Sequence, residues 1–217
     1  MTVKLHLIAD PLCGWCFAAA PLLSASREIP GLDIVLHCGG LFAGSNRQQV
    51  DASMRNYIES HHERITQLSG QHVGAGFDAL LNSGTAILDS TPPIRAILSV
   101  IEIDGDPVVY YQTLVKAHFI DGRPVAEPET LIDIAKQCGL DSTSFSEAYA
   151  SLDESQVSQH ISNSRRLLQQ LGGQGFPTFG LEHDGQMQIL NHHSLYGDPQ
   201  AWLEALQKLV SEKNPVH

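Results

Sequence analysis

Two cysteines three residues apart, directly after a short apolar run, limit how this chain can fold. Residues 3–9 have the pattern of a buried strand, and the segment that begins with Cys13 and Cys16 continues to residue 28 as an alanine- and leucine-rich stretch. That stretch predicts one helix over residues 13–28. Residues 31–40 form a second apolar run bounded by glycines, which predicts another strand. A strand, a helix and a strand within about 40 residues predict a βαβ unit with parallel strands.

Helical patterns then replace strand patterns through the middle of the chain. Helical spacing of apolar residues begins at Met54, and four further helices are predicted before Gly172. Strand patterns return only at residues 176–191, and a helix near residues 199–210 ends the chain. The sequence therefore predicts an α/β fold whose core is split by an all-helical insertion. The predicted boundaries are residues 1–45 and 153–217 for the two core segments and 46–152 for the insertion.

Charge and hydropathy exclude several classes of partner. The 217 residues carry 13 basic and 24 acidic side chains, a formal net charge of −11. Phosphate binding depends on clustered Lys and Arg, so we expect neither nucleic acid nor a membrane as partner. Lys4 and His6 interrupt the apolar run that a secretory signal would need. We therefore expect a cytoplasmic protein, in which a close cysteine pair is typically catalytic or metal-binding.

A zinc site would need two further Cys or His ligands beside the cysteine pair. Cys38 lies in the second predicted strand and Cys138 on the apolar face of a predicted helix. Both are better interpreted as small buried hydrophobic residues. The adjacent histidines at 61–62 and at 192–193 point in different directions on a helix or strand. We therefore expect no metal.

A redox-active dithiol accounts for more of the pattern. The strand-to-helix junction places Cys13 at a helix N-terminus, where unpaired N–H groups and the helix dipole favour a thiolate. Cys13 is then the attacking sulfur, and Cys16, one turn later, can resolve the mixed disulfide. Gly14 allows close approach of another backbone, and Trp15 adds a flat apolar surface to the substrate-binding site.

Three longer motifs resemble the DsbA family of thioredoxin-fold thiol–disulfide oxidoreductases, and within it the cytoplasmic FrnE-like branch. They are DPLCGWC after the first strand, LDSTPPIRAIL at 88–98 and SRRLLQQLGGQGFPTF at 164–179. The resemblance covers essentially the whole chain. It implies a thioredoxin-like core with a large all-helical insertion, Cys13 as nucleophile and Cys16 as resolving thiol.

The same resemblance implies that Pro177 is a cis-proline facing the cysteines. A cis bond would leave the N–H and C=O of Phe176 free to pair with an extended substrate. Phe176 and Thr178 would then flank the substrate groove, although Phe176 could equally belong to the core.

The sequence departs from the periplasmic members of the family in three respects. Its dipeptide is Gly-Trp and contains no histidine, so we expect a less oxidising pair. We expect no export signal, and Cys38 and Cys138 do not form a second cysteine pair.

The leading hypothesis is therefore thiol–disulfide exchange with protein or small-molecule disulfides and thiols, with no bound cofactor and glutathione as a possible co-substrate. One alternative is a glutathione-dependent transferase or isomerase, of the kappa class or the 2-hydroxychromene-2-carboxylate isomerase type. Another is a redox-sensing chaperone or interaction module. The chain is expected to be a monomer or a homodimer. Of the flanking polar residues, Asp10 is expected to cap its turn, and Arg165 and Arg166 to lie on a solvated helix face.

Overall fold

The structure is a computed structural model and describes residues 3–213. Residues 1–2 and 214–217, the outer ends of the two predicted core segments, lie outside the described residues. Within the described part, strands occur in the N-terminal region, in the middle and near the C-terminal end. These are β1 (Lys4–Ala9), β2 (Asp33–Cys38), β3 (Gln48–Gln49), β4 (Ile87–Leu88), β5 (Thr178–His183) and β6 (Gln186–Leu190).

Four of these strands form one mixed sheet in the order β2-β1-β5-β6. β1 runs parallel to β2, with Leu5 opposite Ile34, and antiparallel to β5, with Leu5 opposite Leu181. β5 and β6 form an antiparallel hairpin. β1 lies between β2 and β5 and is almost wholly buried. This is the split core that the sequence predicts.

Helices fill most of the remaining chain. Their bounds are α1 (Gly14–Ala18), α2 (Ala20–Ser26), α3 (Ala52–Ser69), α4 (Ala75–Asn82), α5 (Thr91–Glu102), α6 (Pro107–Phe119), α7 (Pro128–Gln137), α8 (Ser142–Ser151), α9 (Glu154–Gln170) and α10 (Pro199–Lys213). No helix in residues 3–213 combines the length and the apolar character that crossing a membrane would require.

The prediction of a single helix over residues 13–28 is wrong in one detail. The helix is interrupted at Ala19, between α1 and α2. Pro21 has no N–H to donate to the carbonyl of Phe17, and its ring would clash with that carbonyl in a continuous helix. The break leaves α1 as a separate short helix that carries the cysteine pair.

The segment between β2 and α9 is helical, as expected, apart from one pair of two-residue strands. β3 and β4 pair antiparallel, and the N–H of Val50 donates to the carbonyl of Ala86 at 2.9 Å. The expectation of an all-helical insertion is corrected in this respect, because β3 and β4 are too short to show an alternating pattern. The boundaries of the insertion stay a prediction.

A buried histidine in α6 predicts acid-sensitive stability. His118 is 4% exposed and packs against Phe77 and Phe119, and burial lowers its pKa from 6.5 to about 4. The unfolded chain therefore binds a proton near pH 6.5 that the folded chain binds only near pH 4, so stability present above pH 6.5 is lost as the pH falls. This shift corresponds to about 3 kcal/mol.

The free energy of unfolding, measured by urea denaturation, should fall between about pH 7.5 and pH 4.5 in the unmodified protein. In His118→Gln we expect this fall to be smaller, because the variant lacks the contribution of His118. His72→Gln, at an exposed position, is the matched control. Equal pH dependence in His118→Gln and the unmodified protein would contradict the prediction.

Candidate active site

The cysteine pair begins α1, directly after the turn that ends β1. Cys13 is the N-terminal cap of α1, and its N–H donates to the carbonyl of Asp10 at 3.1 Å. The Cys13 carbonyl in turn accepts from the N–H of Cys16 at 2.9 Å and of Phe17 at 3.0 Å. The strand, the turn and the first helical turn thus fix the position of both sulfur atoms.

The two thiols differ in depth and environment. Both are free in the structure, Cys13 being 6% exposed and Cys16 3% exposed. Burial raises the pKa of Cys16 well above its usual value, and the neighbouring Cys13 raises it further. The Cys16 sulfur accepts from the N–H of Asp10 at 3.5 Å. Cys16 is therefore a neutral thiol at pH 7, behind a slightly more accessible Cys13.

The loop before β5 faces Cys13. The peptide bond between Phe176 and Pro177 is cis, and the Cys13 thiol donates to the carbonyl of Phe176, with an S–O distance of 3.6 Å. Thr178 is buried, and its hydroxyl donates to the carbonyl of Gly175 at 2.8 Å. The Thr178 side chain thus closes the loop, and the Phe176 carbonyl is the loop group in contact with the cysteine.

The ring of Phe176 packs against backbone rather than standing free in a groove. A Cβ added to Gly39, just after β2, would lie 2.0 Å from Phe176 Cζ. Only a glycine leaves room for the ring at this position. The ring thus positions the carbonyl that faces Cys13.

Asp10 connects three segments beneath the cysteine pair. One carboxylate oxygen accepts from the N–H of Leu12 and from the hydroxyl of Ser90, each at 2.9 Å, and the other accepts from the N–H of Leu41 at 2.7 Å. Asp10 is fully buried, and burial raises its pKa although these hydrogen bonds lower it. The residue does cap its turn, as expected, and it also joins the turn to α5 and to the loop after β2.

Arg165 and Arg166 are both exposed on α9, as expected, but Arg165 also binds backbone carbonyl groups. Its Nε donates to the carbonyl of Gly39 and its Nη2 to the carbonyl of Gly40, both at 2.7 Å. Both carbonyls follow the last residue of β2. The Gly40 carbonyl also accepts from the N–H of Ala43 at 3.2 Å, and the Arg165 side chain supplies the further donors. The loop that supports Phe176 is thus held by Asp10 from one segment and by Arg165 from another.

Gly14 admits side chains of α3, not another backbone as expected. A Cβ at Gly14 would lie 2.9 Å from Ile65 Cδ1 and 3.1 Å from His62 Nε2. Burial lowers the pKa of His62 from 6.5 to about 4, so its ring is neutral at pH 7. The helical insertion therefore covers the first turn of α1 and places no imidazolium there.

An open groove of about 720 Å³ adjoins the site. Trp15 is half-buried and forms one wall, and Tyr196 donates its hydroxyl to the carbonyl of Trp15 at 3.4 Å, with the two rings 5.8 Å apart. No pattern in the sequence points to Tyr196, which follows the last strand by several residues. The other lining residues are Arg64, Leu68, residues 172–178 and 189–192, and His193.

Residues 3–213 contain no group of three or more His, Cys, Asp or Glu side chains placed to hold a metal ion. Cys38, which ends β2, is fully buried and Cys138 is half-buried, and both are free thiols. The expectation that the protein binds no metal stays a prediction.

Known proteins resemble the chain along most of its length. A family model described as the DSBA-like thioredoxin domain matches residues 4–195. A search of curated protein sequences found no match. Among solved structures, the cytosolic disulfide reductase DsbM from Pseudomonas aeruginosa has a TM-score of 0.88 at 38% identity, over 96% of this chain and 99% of that chain. The same reductase solved with GSH has a TM-score of 0.86 at 37% identity, over 95% and 98%.

A candidate protein disulfide isomerase from Nitrosomonas europaea shares the fold, with a TM-score of 0.78 at 22% identity over 98% of this chain and 99% of that chain. The family model spans both core segments and the helices between them. The resemblance seen in the sequence is thus confirmed along the length of the chain. The chain belongs to the DSBA-like thioredoxin domain family, a family of thiol–disulfide oxidoreductases.

Proposed function

We propose that this protein is a cytosolic disulfide reductase in which Cys13 is the nucleophile and Cys16 the resolving thiol. The observation that carries the proposal is the placement of the two sulfur atoms. Cys13 faces the Phe176 carbonyl beside the groove, whereas Cys16 lies behind it and its pKa is raised by burial. Similarity to the cytosolic reductase DsbM supports the same direction of exchange and the same compartment.

The exchange has two steps that transfer two electrons. The Cys13 thiolate attacks a substrate disulfide, which forms a mixed disulfide and expels the first substrate thiolate. Cys16 then loses its proton and attacks the Cys13 sulfur, which forms the Cys13–Cys16 disulfide and releases the second substrate thiolate. Each released thiolate takes up a proton, so the substrate is reduced to two thiols and the protein is oxidised.

The groove is the proposed binding site for the substrate. Trp15 supplies an apolar wall and Pro177 the surface opposite the cysteine, while Gly14 lets α3 close over the first turn of α1. The backbone of Phe176 can pair with an extended substrate once the substrate sulfur displaces its contact with Cys13. Thr178 contributes by holding the loop, since its hydroxyl is bonded to Gly175.

Glutathione is the proposed source of electrons, as a co-substrate and not a resident cofactor. Two glutathione thiolates can reduce the Cys13–Cys16 disulfide in succession, through a glutathione mixed disulfide on Cys13, and leave as glutathione disulfide. The solved complex of DsbM with GSH supports this choice.

A redox titration tests the proposal. Protein equilibrated across a series of reduced to oxidised glutathione ratios would be alkylated, and its free thiols counted by mass. We expect one disulfide, between Cys13 and Cys16, at a potential closer to about −270 mV than to about −120 mV, because the neutral His62 adds no positive charge beside the thiols. A stable glutathione adduct on Cys13 without an internal disulfide would favour a transferase or isomerase instead.

A further inference from the structure

The groove beside the dithiol differs in charge from the protein as a whole. The chain carries 24 acidic and 13 basic side chains. Among the described residues that line the groove, however, there is no carboxylate side chain, and Arg64 is the one with a permanent charge. Arg64 is exposed on α3, and none of the ion pairs within residues 3–213 includes it. A guanidinium without an acidic partner therefore stands on the groove wall.

The remaining groove surface suits a short peptide. Gln174 and Asn191 bring side-chain amides, and Leu68 and Ile189 are apolar and 48% and 47% exposed. Burial lowers the pKa of His192 to about 4, so this lining residue adds no charge at pH 7. The groove thus offers one fixed cation, neutral hydrogen-bonding groups and apolar patches, and Phe176, whose carbonyl contacts Cys13, is part of its wall.

We propose that Arg64 binds a carboxylate of a small anionic thiol and so makes glutathione a better reductant of this protein than an uncharged or cationic thiol. The inference rests on the proposed function and specifies its co-substrate. A volume of about 720 Å³ is within the range of sites for small molecules, about 300–1,000 Å³. The net charge of −11 would repel an acidic protein, whereas a tripeptide can reach the local cation.

The step concerned is the opening of the oxidised protein. A glutathione thiolate attacks the Cys13 sulfur of the Cys13–Cys16 disulfide, a glutathione–Cys13 bond forms, and Cys16 leaves as a thiolate that takes up a proton. Arg64 would hold a glutathione carboxylate during this attack and take no part in the electron transfer. It acts as a specificity residue for the charge of the reductant.

The experiment compares glutathione with its diethyl ester, which has the same thiol but no carboxylate. Each thiol would be mixed with oxidised protein, and samples would be quenched with acid, alkylated and measured by mass spectrometry. Rates would be expressed per thiolate, because esterification alters the thiol pKa. The variants are Arg64→Gln and Arg64→Lys. Arg55→Gln is the matched control, because Arg55 lies on the same helix but bonds to Asn82, outside the groove.

We expect Arg64→Gln to slow reduction by glutathione about 5- to 10-fold and reduction by the diester less than about 2-fold. Arg64→Lys should keep most of the preference for glutathione over the diester, because lysine still supplies a point charge. The preference should also shrink with added salt. The inference would be overturned if Arg64→Gln slowed reduction by both thiols equally or had no effect on either rate. It would also be overturned if Arg55→Gln slowed reduction by glutathione as much as Arg64→Gln does. Each of these outcomes would leave the reductase function standing. Failure of both thiols to reduce the unmodified protein would overturn the proposed function.

Discussion

Replacing Cys13 by serine is expected to abolish disulfide reduction, and replacing Cys16 by serine to stop the reaction at a mixed disulfide. Without Cys13, the more accessible sulfur at the N-terminus of α1 is lost, and the buried Cys16, whose pKa is raised, is a poor substitute. We expect reduction of a peptide disulfide by the pre-reduced protein, with no glutathione added, to slow by about a thousandfold or more in either variant. Mass spectrometry should detect a covalent substrate adduct only in Cys16→Ser.

Cys38→Ser and Cys138→Ser are the controls for this prediction. Both thiols are free in the structure and neither lines the groove, so turnover should change by less than about 2-fold in variants that remain folded. An adduct on Cys16 in the Cys13→Ser variant, with turnover retained, would show that the assigned roles are reversed. Isomerase activity that survives in Cys16→Ser would instead favour the glutathione-dependent alternative.

The parts of the fold that could be predicted from sequence are those coded by local patterns. The alternation of apolar runs and helical spacing identifies β1, the cysteine helix and β2, because each pattern is contained within a few residues. The short β3 and β4 were missed, since two residues cannot show a period. The break at Ala19 could have been predicted from Pro21, whose missing N–H is visible in the sequence.

The supports of the site could not be predicted in the same way, because they join residues far apart in the chain. Asp10 accepts a hydrogen bond from Ser90, the N-terminal cap of α5, and Arg165 binds the carbonyls of Gly39 and Gly40 from α9. No periodicity in a single sequence relates positions so distant. The sequence points to the two sulfur atoms that are proposed to react, but the structure was needed to see the carboxylate and guanidinium that hold the loop beside them.

Adding one methyl group at Gly39 is expected to damage the site more than removing any of these supports singly. The new Cβ would lie 2.0 Å from Phe176 Cζ, so the ring must move by more than about 1 Å to restore ordinary contact. Phe176 also carries the carbonyl that faces Cys13. A displacement of this size is expected to lower kcat/KM for disulfide reduction by about 100-fold, and overpacking should cost about 1–3 kcal/mol of unfolding free energy.

Two further variants separate loss of geometry from loss of folding. Gly175→Ala lies in the loop that carries Phe176, but its Cβ would have no neighbour within 4 Å, so the free energy of unfolding should stay within about 0.5 kcal/mol of the unmodified protein. Adding Phe176→Leu to Gly39→Ala removes the ring atoms that collide, so the double variant should recover part of the lost kcat/KM. Recovery would show that the ring transmits the effect. A Gly39→Ala variant with full activity and unchanged stability would show that the Phe176 ring does not position the carbonyl opposite Cys13.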